Sequence, residues 1–305
     1  MNTYFIDGGV GKQVAFSAII DALAKKDKDK IQIHTPYVDV FGGNPNVKLA
    51  FDAGSIYLHD QRIKDSDKIF HCEPYKSEYL KGEKHLIEMY CKLFGVKYQK
   101  DMRPKMYTKH YKQMCEQSLL QIWNQPNPPE NKNFIVVQFT GGQPPMGYEQ
   151  NTYFGGGDPS RNYPRYLAQK VIDMIHDKYG DELKILNYGL PNEPIFNNSV
   201  RPSTMPFSQW HEMLKMPECK GVIGIDSCMQ HFAASAGRKS VVIWGGTRWT
   251  QLGYPMHKNI NNVFGDKWDD WDESKWDGED PRNIMIEPER VFEQFEKIYG
   301  KDLIT

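Results

Sequence analysis

The stretch Gly224-Ile225-Asp226-Ser227-Cys228-Met229-Gln230-His231-Phe232-Ala233-Ala234-Ser235-Ala236-Gly237 decides how this 305-residue chain is read. It opens on the apolar run Gly221-Val222-Ile223-Gly224-Ile225, the signature of a strand buried on both faces. Ser227 stands where a helix N-cap belongs, Phe232, Ala233, Ala234 and Ala236 suit a helix, and Gly237 suits its stop. A helix entered this way presents its first amides, and its positive end, to an anion. Asp226, Ser227, Cys228, Met229 and Gln230 are therefore the expected anion site. His231 falls in the first turn, where the helix end disfavours imidazolium. A neutral His231 donating to a phosphate oxygen is expected there. A capped helix with a buried histidine is the structural alternative.

Outward from this stretch the same grammar repeats. A helix is predicted around Tyr166 to Tyr179, a strand at Lys184 to Asn187, a helix around Gln209 to Lys215 and a strand at Ser240 to Trp244. Apolar runs alternating with helices imply a parallel sheet covered on both faces. Glu289 to Tyr299 reads as a closing helix, one that could pack back on the first half. Two halves begin alike: Tyr4-Phe5-Ile6 before Asp7-Gly8-Gly9-Val10-Gly11-Lys12-Gln13, and Phe134-Ile135-Val136-Val137-Gln138-Phe139 before Thr140-Gly141-Gly142. The proline-rich run Gln125 to Asn131 between them reads as a linker, so the domains are placed at 1–127 and 128–305. In the first half a strand is expected at Ile31 to Thr35, then a short helix and a turn at Gly42 to Asn46.

The opening loop looks like a nucleotide P-loop and departs from one. A P-loop needs Ser or Thr after its lysine to ligate magnesium, and this chain has Gln13. Ile6 occupies the place of the first glycine, and Asp7 would put an acid against phosphates. Strand, glycine turn and helix remain, a generic α/β opening in which glycines allow close approach.

The segment from Asp226 to His231, with Ala233, Ala234 and the later Trp244-Gly245-Gly246-Thr247, resembles the nucleotide-diphosphate motif of glycosyltransferase family 9, the heptosyltransferase-like enzymes. Cys228 replaces the family's glycine. Arg161-Asn162-Tyr163-Pro164 is similar to its Lys-x-Trp-Pro, which places Arg161 near donor phosphates. Gly189 and Glu193 resemble a Gly…Glu pair facing the nucleoside, and Asn44-Pro45-Asn46-Val47 a recurring asparagine-proline turn. The resemblance implies an α/β chain of GT-B fold: two Rossmann-like domains with parallel sheets, the donor in the second, the acceptor in the first and the chemistry in the cleft. It also implies that the first glycine turn ends on a catalytic Asp, and here that position is Lys12. Asp7 is the candidate substitute base, and Lys12 a candidate phosphate contact. Gly8, Gly9, Gly11 and Thr140 join the expected donor-facing set.

The expected activity is sugar transfer from a nucleotide-diphosphate sugar, with no cofactor and no metal, because amides and cations can serve the leaving group. A sugar-nucleotide epimerase or hydrolase, or a non-catalytic nucleotide-sugar-binding protein, are the alternatives. The acceptor is expected to be polyanionic. From Lys97 to Gln113 the chain holds Lys97, Lys100, Arg103, Lys105, Lys109 and Lys112 against the single acid Asp101, interleaved with Tyr98, Tyr107, His110 and Tyr111. Such a strip suits phosphates, whether of a lipopolysaccharide-type glycan or of DNA carrying a hydroxylated base. It could also be a solvated helix face. The net charge of −1 excludes a general polycation. The run Trp268 to Asp277 is acidic and tryptophan-rich, a candidate sugar grip or a self-pinned loop. Five scattered cysteines without a CxxC pair predict reduced thiols. With no apolar run of membrane length and no signal-peptide layout, the expected compartment is the cytoplasm.

Overall fold

Short apolar strands too few to bury themselves alone are gathered into two parallel sheets. The computed structural model describes residues 1–52, 56–124, 132–141, 161–189, 193, 195–261 and 286–303. The linker run with its boundary after residue 127, Gly142 and the tryptophan-rich run lie outside these residues.

The first sheet contains β1 (Asn2–Phe5), β2 (Ile31–His34), β3 (Val47–Phe51) and β4 (Lys68–His71), in the order β3-β2-β1-β4 with every pairing parallel. Its helices are α1 (Val10–Phe16), which passes through a 3-10 turn into α2 (Ile20–Asp27), then α3 (Ile56–Lys64), α4 (Ser77–Leu80), α5 (Leu86–Phe94) and α6 (Lys112–Ile122). The second sheet contains β5 (Asn133–Gln138), β6 (Leu183–Asn187), β7 (Cys219–Ile225), β8 (Val241–Trp244) and β9 (Lys258–Asn261), ordered β6-β5-β7-β8-β9 and again parallel. Helices α7 (Arg165–Tyr179), α8 (Phe207–Lys215), α9 (Cys228–Ala236), α10 (Trp249–Leu252) and α11 (Pro288–Leu303) accompany it. The expected α/β architecture of two parallel sheets is what the chain adopts.

One apolar core runs through both units. Phe16, Ile19 and Leu23 of the first belong to the same buried cluster as Trp210, Met213, Phe232 and Ala233 of the second. Within it Tyr4 stacks on Phe70 at 5.1 Å between ring centroids, and Phe16 meets Tyr90 edge-on at 5.2 Å. Aromatic contacts of this kind add to the burial term. A second cluster under the other face of the second sheet joins Ile135, Val137, Val171 and Ile175 to Phe295 and Tyr299.

Two placements differ from the sequence reading. The closing helix does not pack back on the first unit. Its buried Val291, Phe295 and Tyr299 recur every four residues and fill the space between the second sheet and α7, a single apolar stripe with one place to go. Conversely α6, which precedes the linker, docks on α8. The Cys115 thiol reaches the Gln209 carbonyl at 3.4 Å, and the Gln209 amide donates to Ser118 Oγ at 2.9 Å. Among the described residues no helix is long and apolar enough to cross a membrane. All five cysteines are buried thiols.

Replacing Phe295 by Ala removes a fully buried ring from the α11 stripe and should cost about 3–5 kcal/mol. A urea titration should show the loss as a lower midpoint, and an unchanged midpoint would mean that α11 does not dock on this sheet.

Candidate active site

The carboxyl ends of both sheets supply the residues singled out above, beginning with the loop after β1. Gly8 takes the left-handed backbone, φ +79°, that swings the chain into α1, with Gly9 at the helix N-cap. Lys12 is turned inward, its side chain only 5% exposed. Its ammonium donates to Asp7 Oδ1 at 2.7 Å and Glu73 Oε2 at 3.0 Å, and lies 4.8 Å from the Tyr75 ring centre. Burial opposes the Lys12 charge, and its bonds to Asp7 and Glu73 outweigh that cost, so its pKa is raised. The same hydrogen bond from Lys12 holds the Asp7 carboxyl below the ordinary range. Gln13 is fully buried, donating to the Ile6 and Asp7 carbonyls and accepting from Thr35 Oγ1. The groups that a P-loop would aim at phosphates are thus spent on the protein. Lys12, expected as a phosphate contact, is instead the clamp between two carboxylates.

At the end of β7 the expected strand, cap and helix are present, with one addition. Ser227 occupies the N-cap of α9, but its hydroxyl accepts from Gln138 Nε2 at 2.9 Å instead of capping the helix. Gln138 Oε1 in turn accepts the Met229 amide at 3.1 Å. The cap therefore comes from the end of the neighbouring strand, and the Met229 amide expected for the anion is occupied. Cys228 is buried beneath, its thiol 3.3 Å from Tyr188 Oη. Asp226 accepts from Thr247 Oγ1 at 2.6 Å and sits 3.9 Å from the Arg161 guanidinium. Next to Arg161, Asn162 Oδ1 accepts the Gly141 amide at 2.8 Å, and Thr140 is buried beside it. Glu193 is buried, with Arg201 donating to its carbonyl at 2.8 Å, and the side chains of both crowd Gly189.

His231 departs from its expected role. It is 4% exposed, with Nδ1 2.7 Å from Tyr254 Oη and Nε2 3.1 Å from Gln230 Nε2. Because Gln230 Nε2 also donates to the Leu252 carbonyl, the amide orientation is fixed. Nε2 of His231 is then the acceptor, and Nδ1 carries the proton to Tyr254. The ring edge lies against α1, where a Cβ on Gly11 would come within 2.8 Å of it. His231 is neutral as expected, but it is used as a seam between the units instead of facing a phosphate. His85 does the same from the other side, its Nδ1 capping α5 through the Ile87 amide at 3.2 Å and its Nε2 donating to the Gly253 carbonyl at 2.9 Å.

Tyr75 and Tyr79 of the first unit pack on each other, 4.9 Å between ring centroids, within electrostatic reach of Asp226 and Arg161 of the second. Desolvation raises both phenols above their ordinary range, with the Asp226 charge adding and Arg161 opposing. The latch is completed by Arg248, donating to the Lys81 carbonyl at 3.2 Å, and Gln251, donating to the Tyr79 carbonyl. The basic strip is elsewhere. It straps the two units together at the opposite end of α9: the Lys105 amide bonds Ser17 Oγ, the Met106 amide bonds Ser235 Oγ, and Thr108 Oγ1 lies 2.7 Å from both His211 Nδ1 and Glu212 Oε2. Lys100, Arg103, Lys105, Lys109 and Lys112 point outward, with Lys105 paired to Asp21 and Lys112 to Glu116. Glu73, His71 and Gln138 were not found by sequence reasoning. Gln138 alone left a trace, as a polar residue ending an apolar strand. Among the described residues no cluster of His, Cys, Asp and Glu is arranged to hold a metal.

No protein-family model and no curated protein matches the chain by sequence. Solved structures do match over nearly its whole length. A glycosyl transferase family 9 protein from Veillonella parvula superposes with TM-score 0.66 at 13% identity, covering 98% of this chain and 97% of that one. The ADP-heptose lipopolysaccharide heptosyltransferase II of E. coli gives 0.63 at 14%, covering 99% of each. The E. coli heptosyltransferase WaaC, solved with ADP, gives 0.58 at 11%, covering 97% and 99%. The chain has the GT-B fold. In that fold the ends of the two sheets described above face one cleft.

Two outcomes are expected from the seam. Gly11→Ala should destabilise the protein by about 1–3 kcal/mol in chemical denaturation, since the new methyl overlaps the His231 ring. Burial lowers the pKa of His231 to about 3 and that of His85 to about 4. Unfolded imidazoles ionise near 6.5, so the stability these groups confer is whole above that value and is lost as pH falls toward 4, by about 1.4 kcal/mol per unit for each. Melting temperature should drop from pH 7 to 5, with a shallower drop for His85→Gln, whose amide can still reach the Gly253 carbonyl.

Proposed function

We propose that the chain is a glycosyltransferase that moves a sugar from a nucleotide-diphosphate sugar to a hydroxyl of a phosphate-rich acceptor. The observation that supports this most is the pairing across the cleft. The Asp226–Arg161 pair at the start of α9, 3.9 Å apart, lies within electrostatic reach of Tyr75, as do Lys12 and Glu73, which with Asp7 and His71 form the first-unit cluster. A departing diphosphate needs cations and amides, and an attacking hydroxyl needs a proton acceptor. The two sides of the cleft offer one each. Arg161 is assigned to the diphosphate, and Gly189 with Glu193 to the nucleoside end. Positive charge from Arg161 lets the transfer proceed without a metal ion. Two of the structural relatives are E. coli heptosyltransferases, one of them solved with ADP, so ADP-heptose heads the donors to be tried.

The acceptor is assigned to the outward-pointing cations of the strap. One of them, Arg103, lies beside Gly237, at the end of α9 away from Ser227, about 13 Å along the helix. An acceptor that touches both is therefore long. Phosphorylated glycan and duplex DNA share the chemistry, and binding of each across a salt series separates them, with affinity for the true acceptor falling steeply as salt rises.

A thermal-shift screen against nucleoside diphosphates and their sugars tests the donor. One of them should raise the melting temperature, and Arg161→Ala should weaken that ligand tenfold or more, about 1.4 kcal/mol. Equal binding by the variant, or no stabilising nucleotide at all, would overturn this assignment.

A further inference from the structure

The resemblance leaves a gap at the reacting hydroxyl, because Lys12 occupies the position at which an acid is implied. The side chains around Lys12 show what could fill it. Three of the four oxygens of the nearby carboxylates accept hydrogen bonds, and the fourth faces His71. Asp7 Oδ1 accepts from Lys12 and its Oδ2 faces His71 Nε2 at 3.7 Å. Glu73 Oε2 accepts from Lys12, and its Oε1 accepts the Tyr75 amide at 2.9 Å. The outermost member of the cluster is His71, whose side chain is 56% exposed against 46% for Asp7 and 37% for Glu73. His71 ends β4, directly beside Phe5 of β1 in the sheet register. Its ring lies over the Phe5 ring at 5.2 Å and 25°, so its plane is set by stacking and its edge by Asp7.

Resting on the glycosyltransferase reading, we infer that His71 is the group that takes the proton from the acceptor hydroxyl, with Asp7 as its positioning carboxylate and Lys12 and Glu73 as the buried support that fixes Asp7. The acceptor O–H proton passes to the imidazole. The oxygen's electron pair forms the new bond to the anomeric carbon. The bond from that carbon to the diphosphate oxygen breaks, and its pair leaves with the diphosphate. Asp7 stays ionised throughout and offsets the imidazolium, the arrangement by which a carboxylate supports a histidine base. Lys12 then has a defined use: it keeps Asp7 charged and in place, work that a second free acid at position 12 could not do.

The test is release of nucleoside diphosphate from a panel of nucleotide-diphosphate sugars that includes ADP-heptose, with water and with hydroxyl acceptors, alongside donor dissociation constants. For a donor turned over by the wild type, His71→Ala should lose about 10²-fold or more in kcat with the donor constant unchanged, and added imidazole should restore part of the rate. His71→Gln, which keeps a polar side chain, should be equally slow and as thermally stable as the wild type. Asp7→Asn should also lower kcat without weakening donor binding, and imidazole should not rescue it. Turnover by His71→Ala close to wild type would overturn the assignment while leaving the transferase reading intact. A wild-type protein that binds donors and releases diphosphate from none would sink both, and would do so before any variant is made.

Discussion

The approach of Gly11 to the edge of His231 is the constraint around which the two units are arranged. A backbone and an aromatic ring can come this close only where no side chain intervenes, so one glycine sets the distance between α1 and α9. Everything nearby conforms to it. His231 is pinned by Tyr254 and Gln230, and the first unit's apolar core runs unbroken into the second. The carboxyl ends of the two sheets are thereby held facing each other, where ligands of parallel α/β sheets bind.

The site is electrostatically divided. On the first unit a buried cation is enclosed by two carboxylates, so an excess of negative charge lies beside an exposed imidazole. On the second, one buried carboxylate carries an arginine and a threonine hydroxyl at the mouth of a helix. Charges fixed before substrate arrives need little rearrangement during reaction. The Gln138 bridge to Ser227 and Met229 does the same for the helix end, holding it rigid from the neighbouring strand.

What could be read from the sequence was local. The strand, cap and helix from Gly224 to Gly237 are encoded by an apolar run, a serine and a glycine close together in the chain, and they fold as that order implies. The second sheet was legible for the same reason, apart from β9, whose Lys258-Asn259-Ile260-Asn261 carries one apolar residue. In the first half, β3 and β4 are short and begin or alternate with lysine, so they give no clear pattern. The residues they bring to the proposed site were hidden with them. His71 acquires meaning only when β4 pairs with β1, and Glu73 only when Lys12 turns inward to meet it. His231 shows the converse: its helix position was legible, but its partners Tyr254 and Gly11 come from distant parts of the chain.

Four of the hydrogen bonds that join the two units share a property. His85 binds the carbonyl of Gly253, Arg248 that of Lys81, Gln251 that of Tyr79, and Ser208 that of Asp39. In each case a side chain on one unit recognises the peptide oxygen of the other, an acceptor present whatever residue stands there. At Lys81 such a joint asks nothing of the side chain, whereas Gly253 has no room for a Cβ beside Trp244 and Asp39 also accepts the Ser208 amide through its own carboxylate. The mutual pose of the two lobes therefore tolerates exchange at some of its acceptor positions and forbids it at others.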